Sequence, residues 1–417
     1  MTPDQDSDLG SIVTNGLCIG CGLCQSLAGP DRLDMVMTPE GRLRPLVRES
    51  LDPDTVARIH AVCPGTRIEG LPEDLVAEGA TVDPLWGPYL RIVRGWAGDP
   101  DVRFRAATGG VLTSLALYLL ESGRVDFVLH VAASREQPMR SQRQVSFDRA
   151  QVLDGMGSRY GPAAPLVDVT ELLAREQPFA FVGKPCDVGA LRNLARLDPR
   201  VDRYCKYVLT LVCGGASELG KSQRVLRDLG VAEDELSLFR YRGHGNPGPL
   251  RVETKDGRGF EVSYQAMWED EGTWQLQFRC KVCPDAIGES ADLAALDVWP
   301  DASPAGDDEG FNGIIVRTER GLALFEAALR DGALFVDETY TPRDLDGFQP
   351  HQVRKKRAVW ARMAGLTRAG QPVPDVRRLR IRDLAEAAGL SANLREARGT
   401  VQRARDGRTR EPPPRPE

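Results

Sequence analysis

Nine cysteines carry the chemistry in this chain of 417 residues, and their spacing sorts them. Cys18, Cys21 and Cys24 form a Cys-x-x-Cys-x-x-Cys run, with glycines at 20 and 22 that let the backbone wrap closely and aim amides at sulfur. Cys63-Pro64 follows as a fourth thiol. A tight triplet with a remote cysteine before proline is the ferredoxin-type pattern for an iron–sulfur cluster, whereas zinc sites favour two separated pairs. In two-cluster ferredoxins the fourth cysteine of such a run serves the other cluster. Here Cys63 is the one cysteine between the run and Cys186, so it is assigned to the same cluster. Cys280 and Cys283 form a later Cys-x-x-Cys pair with no second pair beside it. Two thiolates so spaced hold one corner of a zinc ion or an iron–sulfur cluster, and either centre asks for four ligands. The other two must come from distant segments, where Cys186, Cys205 and Cys213 are available.

The surrounding elements decide which of these can meet. A buried-strand run at 179–182 leads into Gly183-Lys184-Pro185-Cys186-Asp187 and a helix to about 194. The design repeats at 206–212, an apolar strand that runs into Cys213-Gly214-Gly215 and a helix over 216–229. Both cysteines thus fall just past the carboxyl end of a predicted strand. In an open parallel sheet those ends share one edge, where ligands collect, so Cys186 and Cys213 are expected near each other as ligands. Cys205 precedes its strand, at the opposite end, and is expected to be structural.

Upstream, strand 89–96, the turn Ala106-Ala-Thr108-Gly109-Gly110, helix 111–121 and strand 125–131 make an α/β unit. Free amides and the positive end of the helix dipole suit a phosphate there, with Thr108 as hydroxyl donor. An ordinary turn fits the same residues, because the G-x-G-x-x-G fingerprint is missing. The glycine-rich loop 154–162 ends in Ser158, Arg159 and Tyr160; it could line a pocket, or simply join surface elements before a helix at 166–175. Strands 250–254 and 260–264 around Asp256-Gly257 read as a β-hairpin inserted before the Cys280/Cys283 pair. His244, in the glycine-rich loop ahead of it, could act as an acid or base. A strand over 291–299 carries Asp297 and Trp299, and strands 313–318 and 334–338 flank a helix at 321–329.

Composition narrows the class. A 41% hydrophobic share is enough to bury a sizeable core, and a net charge of −6 with both signs dispersed gives no nucleic-acid surface. The polar, acidic first ten residues lack the apolar stretch of an export signal, and no run approaches the roughly 18 apolar residues of a membrane span. A cytoplasmic protein without membrane insertion is expected. In that setting cysteines read as metal ligands before disulfides.

The Cys18/Cys21/Cys24/Cys63 group, Thr108-Gly109-Gly110, Gly183-Lys-Pro-Cys186-Asp, Cys213-Gly, Arg279-Cys-Lys-Val-Cys-Pro-Asp285 and Ala291-Asp292 leading to Asp297-Val-Trp299 resemble, in order and spacing, the coenzyme F420 hydrogenase/dehydrogenase beta-subunit family. That family includes 7-hydroxymethyl chlorophyll reductase-like enzymes, and the resemblance spans about residues 15–365. It implies an iron–sulfur flavoprotein oxidoreductase with two [4Fe-4S] clusters and FAD, which passes electrons to or from a two-electron carrier or substrate. A non-catalytic electron-transfer subunit of a larger redox complex is the alternative. It also implies that Cys186, Cys213, Cys280 and Cys283 bind the second cluster beside the flavin. Thr108, Gly109 and Gly110 would meet FAD, as would Ser158, Arg159, Tyr160 and Lys184. Lys184 would act as the catalytic group that stabilises an anionic reduced flavin or donates to substrate, unless it is a plain surface lysine. Expected partners are ferredoxin or a redox subunit and a small-molecule carrier, in a homo- or hetero-oligomer. Two positions depart from the common pattern: Cys213-Gly-Gly stands where relatives show Cys-His-Gly, and Leu296-Asp297 where many have Gly-Asp.

The expected architecture is α/β: a small N-terminal ferredoxin-like [4Fe-4S] module (1–75) joined to an α/β FAD-binding domain (88–345) with a β-hairpin insertion. A helical C-terminus (346–402) and a disordered tail (403–417) follow.

Overall fold

Alternation of apolar side chains sets the centre of the molecule. In the strand Phe179–Gly183, Phe179 and Phe181 enter one core while Ala180 and Val182 enter another; Val208 and Leu209 divide the same way in Cys205–Leu211. A strand buried on both faces needs cover on both faces. Helix Pro185–Ala195 supplies it on the first face, and helix Val111–Glu121 on the second. Phe127 stacks on Phe179 with ring planes 2° apart and centroids 5.0 Å apart. Each such buried ring contributes about 1.5–3 kcal/mol.

The computed structural model describes residues 9–417, so residues 1–8 of the polar start lie outside the described residues. Its largest sheet has eight strands in the order Leu334–Thr339, Arg91–Ala97, Asn312–Val316, Leu293–Asp297, Cys205–Leu211, Phe179–Gly183, Phe127–Ala133, Ser141–Ser146. The four strands from Leu293–Asp297 to Phe127–Ala133 are mutually parallel. Arg91–Ala97 is antiparallel to Asn312–Val316, itself antiparallel to Leu293–Asp297, so it shares their direction. Five carboxyl ends therefore lie along one edge. The sheet is mixed α/β, as the sequence implies, with antiparallel strands at both margins.

The expected hairpin gains a third strand, Leu236–Arg240, paired antiparallel to Leu250–Thr254. A short strand expected over 42–47 is present as Leu43–Val47, but its antiparallel partner Leu33–Met37 and strand Ser141–Ser146 have no counterpart in the sequence reading; their faces are half-exposed and lack the long apolar run that marks the central strands.

The N-terminal segment does not bury a core of its own. Leu9, Ile12, Leu17 and Ile59 pack with Val282 and with Val359, Met363 and Leu366 of helix Pro350–Arg368. Asp375–Arg377 adds a parallel strand to Arg67–Glu69, which joins the C-terminal helices to the cysteine-rich start. The tail expected to be disordered instead follows helix Leu390–Arg405 back along the molecule. Glu411 is buried there against Arg44, and the Glu417 amide donates to the Met37 carbonyl. Its low-complexity composition is overridden by these specific polar contacts. Among the described residues no helix is long and apolar enough to cross a membrane.

Candidate functional site

Two sets of four thiols form, one beside the carboxyl edge of the sheet, next to Lys184 and Asp187, and one at that edge. In the first, Cys18 and Cys21 lie on the turn leading into helix Leu23–Ala28, Cys24 is in its first turn, and Cys63 ends helix Pro53–Val62. Gly22 between them adopts φ +86°, and a Cβ there would stand 2.5 Å from Val167, so only glycine fits. The four thiols lie within electrostatic reach of one another and line a cavity of about 30 Å³. The Gly65 amide donates to the Cys63 sulfur at 3.3 Å. Burial raises these thiols, Cys63 to about 12, so as free side chains they stay protonated; a coordinating metal reverses that.

The second set comes from four separate places. Cys186 opens helix Pro185–Ala195, Cys213 follows strand Cys205–Leu211, Cys280 sits in the short helix Phe278–Lys281, and Cys283 comes just after it. Cys186 is within electrostatic reach of Cys213 and Cys283, and Cys213 of Cys280 and Cys283. The Ala216 amide donates to the Cys280 sulfur at 3.3 Å. Cys205 begins the strand at the far end and takes no part. Among the described residues no group of three or more His, Cys, Asp or Glu side chains stands at single-ion spacing.

The two sets are joined. Arg279, buried beside Cys280, donates to the carbonyl of Pro64 at 2.9 Å, and Arg44 of the N-terminal hairpin donates to Gln277 at 2.8 Å. Between the sets stands the pair Lys184–Asp187, whose contacts of 2.6 and 2.8 Å engage both carboxylate oxygens. Lys184 interacts with Cys186 and with Cys21. Burial opposes the ammonium charge, but the Asp187 carboxylate together with Cys186 and Cys21 more than offsets it and raises Lys184.

A cavity of about 580 Å³ opens against the second set. Its floor is the carboxyl edge of the sheet, where Gly183, Val212 and Asp297 line it, and it runs past the amino end of helix Val111–Glu121 to His130. Tyr160, Tyr264, Trp268, Trp274 and Trp299 form an aromatic wall. Arg242, 3% exposed, is held by Asp297 at 3.0 Å and flanked by the rings of Tyr264 and Trp299, 5.1 and 5.0 Å from its guanidinium. Thr108 donates to the same carboxylate at 2.6 Å. Burial opposes the Arg242 charge, and Asp297 with the neighbouring phenols secures it.

Two family models match on either side of this cavity: the coenzyme F420 hydrogenase/dehydrogenase beta subunit N-term over residues 92–171, and its C terminus over 177–341. The chain belongs to this beta-subunit family. It is 25% identical over 305 residues to the coenzyme F420 hydrogenase subunit beta of Methanococcus voltae, across 69% of this chain and 99% of that one. It is 26% identical over 252 residues to the F420-dependent formate dehydrogenase subunit beta of Methanocaldococcus jannaschii, with 58% and 60% covered. In fold it is similar to a chain of the F420-reducing [NiFe] hydrogenase complex from Methanosarcina barkeri. That match has a TM-score of 0.52 and 23% identity, and covers 66% of this chain and 91% of that one.

Within this family member, Thr108, Gly110, Ser158, Arg159, Tyr160 and Lys184 all line the large cavity. Gly109 does not. It presses the turn against strands Arg91–Ala97 and Asn312–Val316, where a Cβ would stand 2.9 Å from the Asn312 amide. Arg159 faces inward as well: its guanidinium donates to Ser141 and to the carbonyls of Pro138, Met139, Arg140 and Phe239, so it fixes the loop to the hairpin. His244 packs edge-on against Phe104, outside the cavity lining. The sequence reading missed Arg242, Tyr264, Trp268 and Trp274 as site residues. The three aromatics have one signal, their concentration between the hairpin and Cys280, which reads as core until the fold turns it toward the cavity; Arg242, ahead of the hairpin, has none.

Proposed function

We propose that this chain is an iron–sulfur flavoprotein oxidoreductase subunit that exchanges electrons between two [4Fe-4S] clusters, FAD and a two-electron carrier. The observation that carries this reading is the juxtaposition of two four-thiol sets and one large cavity around Lys184 and Asp187. Four thiols per set is the complement such a cluster asks for, and amides directed at Cys63 and Cys280 are the contacts that tune one. A cavity of about 580 Å³ falls within the usual range for cofactor sites. When bound, the clusters would supply one-electron transfer and the flavin would couple it to two-electron chemistry.

The protein's own groups do the rest. The amino end of helix Val111–Glu121, entered through Gly110, offers amides to a phosphate, and Thr108, anchored on Asp297, fixes the turn. Lys184 and Arg242 are cations on the cavity wall that would hold negative charge on a reduced ring, each aimed by a carboxylate. The aromatic wall excludes water and presents flat faces to a conjugated ligand. The relatives named above are subunits of larger enzymes, which favours a redox partner subunit and keeps a pure electron-relay role as the second reading.

Anaerobic purification with iron, sulfide and flavin assays tests this. The intact chain should carry two clusters' worth of iron and sulfide with FAD. Cys283→Ser should lose about half the iron, whereas Cys205→Ser should keep it all. A colourless, flavin-free protein that binds zinc would overturn the reading. Turnover of a candidate carrier by the isolated chain would separate enzyme from relay.

A further inference from the structure

We propose that residues 406–417 are a built-in part of the N-terminal cysteine site, a strap that positions the buried Arg44 beside Cys18 through Glu411. The proposal rests on the cluster reading above for its redox arm only. The strap lies directly on the turn that leads into the thiol run. The Glu411 amide donates to the Thr14 carbonyl at 3.0 Å, and the Thr409 carbonyl comes so close to Gly16 that a Cβ there would stand 2.5 Å from it. At the chain end the Glu417 amide donates to Met37, and its side chain pairs with Arg140.

The polar contacts are specific. The Glu411 carboxylate accepts from Arg44 Nε at 2.7 Å and Nη2 at 2.8 Å, and Arg42 stands 3.4 Å from it. Arg44 is 1% exposed; its remaining donors reach the Leu43 carbonyl and Gln277, the residue before the helix that carries Cys280. A two-point carboxylate–guanidinium contact fixes direction as well as charge. Arg44 and Glu411 both act electrostatically on Cys18, with opposite signs. In a buried setting neither charge is well screened, so removing Glu411 leaves Arg44 uncompensated beside the thiol set, and removing Arg44 leaves Glu411 with the more distant Arg42 alone. Arg44 and Glu411 are therefore positioning residues for this site, and neither lies in the two family segments.

Opposite charge changes give opposite outcomes. In anaerobically purified protein, Glu411→Gln leaves the Arg44 cation unbalanced and should make one of the two clusters easier to reduce. Its reduced-to-oxidised ratio at fixed poise should rise roughly tenfold, about 59 mV for one electron. Arg44→Met leaves the carboxylate and should shift the same cluster the other way. Redox titration followed by electron paramagnetic resonance reads both, with the second cluster as internal control. Shifts of the same sign in the two variants, equal shifts of both clusters, or no shift would overturn the proposal.

A chain ending at Arg405, the last residue of its helix, should lose the strap. In cluster-loaded protein one cluster should then bleach about tenfold faster under a chelator while the other keeps its rate. If the intact protein carries no cluster, the cofactor reading fails by itself, and thiol alkylation of the same metal-free protein still judges the strap. Truncation should speed labelling of Cys18 about tenfold and leave Cys205 unchanged. Unchanged Cys18 labelling, or equal acceleration at Cys205, would overturn the proposal.

Discussion

His130 shows how one buried side chain at the cavity wall gives the protein a pH dependence. It is 8% exposed, and its ring is bonded to the Ser146 hydroxyl at 2.7 Å. Burial pushes the imidazole down to about 4, against a small opposing pull from the Val131 backbone and Asp154. The unfolded ring takes its proton near 6.5. Between those values the unfolded chain binds the extra proton, so stability is complete above about pH 6.5 and declines as pH falls toward 4. From pH 7 to 5 the loss from this residue should be about 2 kcal/mol. Denaturant unfolding of the protein and of His130→Gln at both values checks it: the variant should lose about that much less. Parallel pH slopes would assign the dependence to other groups.

The elements that build the site are strand exits, and each is set by a short local signal. Helix Pro185–Ala195 begins with proline at its first position, which ends the strand and places Cys186 in the first turn. Helix Val111–Glu121 begins after Gly110 in a left-handed conformation, with Asn312 accepting from the Val111 amide. Gly109 is where this turn meets the sheet: a methyl group would crowd Asn312 at 2.9 Å and the Gly95 carbonyl at 3.1 Å. Gly109→Ala should therefore cost about 1–3 kcal/mol by overpacking and shift Thr108 and Gly110 in the cavity wall. Thermal unfolding and flavin content measured together are the check. Retention of both at the level of the parent would show that the turn has slack not evident in its packing.

At the scale of the whole molecule, buried charges lock the C-terminal helices to the sheet. Glu289, fully buried, pairs with Lys356 of helix Pro350–Arg368 and with Arg380. Arg317, also fully buried, donates to the carbonyls of Trp86, Pro88 and Ile287 beside it. Breaking such a network by removing one partner leaves uncompensated buried charge, which costs about 3–5 kcal/mol. Glu289→Ala should lose that much, with faster hydrogen exchange in Pro350–Arg368 before the central strands. A change below about 1 kcal/mol would mean that apolar packing alone fastens these helices. The same interlocking explains why the N-terminal segment shares its core with Val282, Val359 and Met363.

What the sequence determined by itself was local. Continuous apolar runs marked strands Phe179–Gly183 and Cys205–Leu211 because both faces are buried, and the punctuation after each put Cys186 and Cys213 at neighbouring exits. Cysteine spacing sorted the thiols, because a Cys-x-x-Cys turn brings its sulfurs together through backbone geometry alone. Half-exposed strands such as Ser141–Ser146 carried too weak a pattern to read. Only the tertiary structure decided the rest. It turned Arg242 inward between Tyr264 and Trp299, occupied Arg159 with loop carbonyls, and set Lys184 against Asp187 between the two thiol sets. It also folded the tail back so that Glu411 reaches Arg44, a contact between residues 367 positions apart. Such pairings depend on which distant segments the packed sheet and helices bring within a few ångströms, and no periodicity or spacing along the chain encodes that.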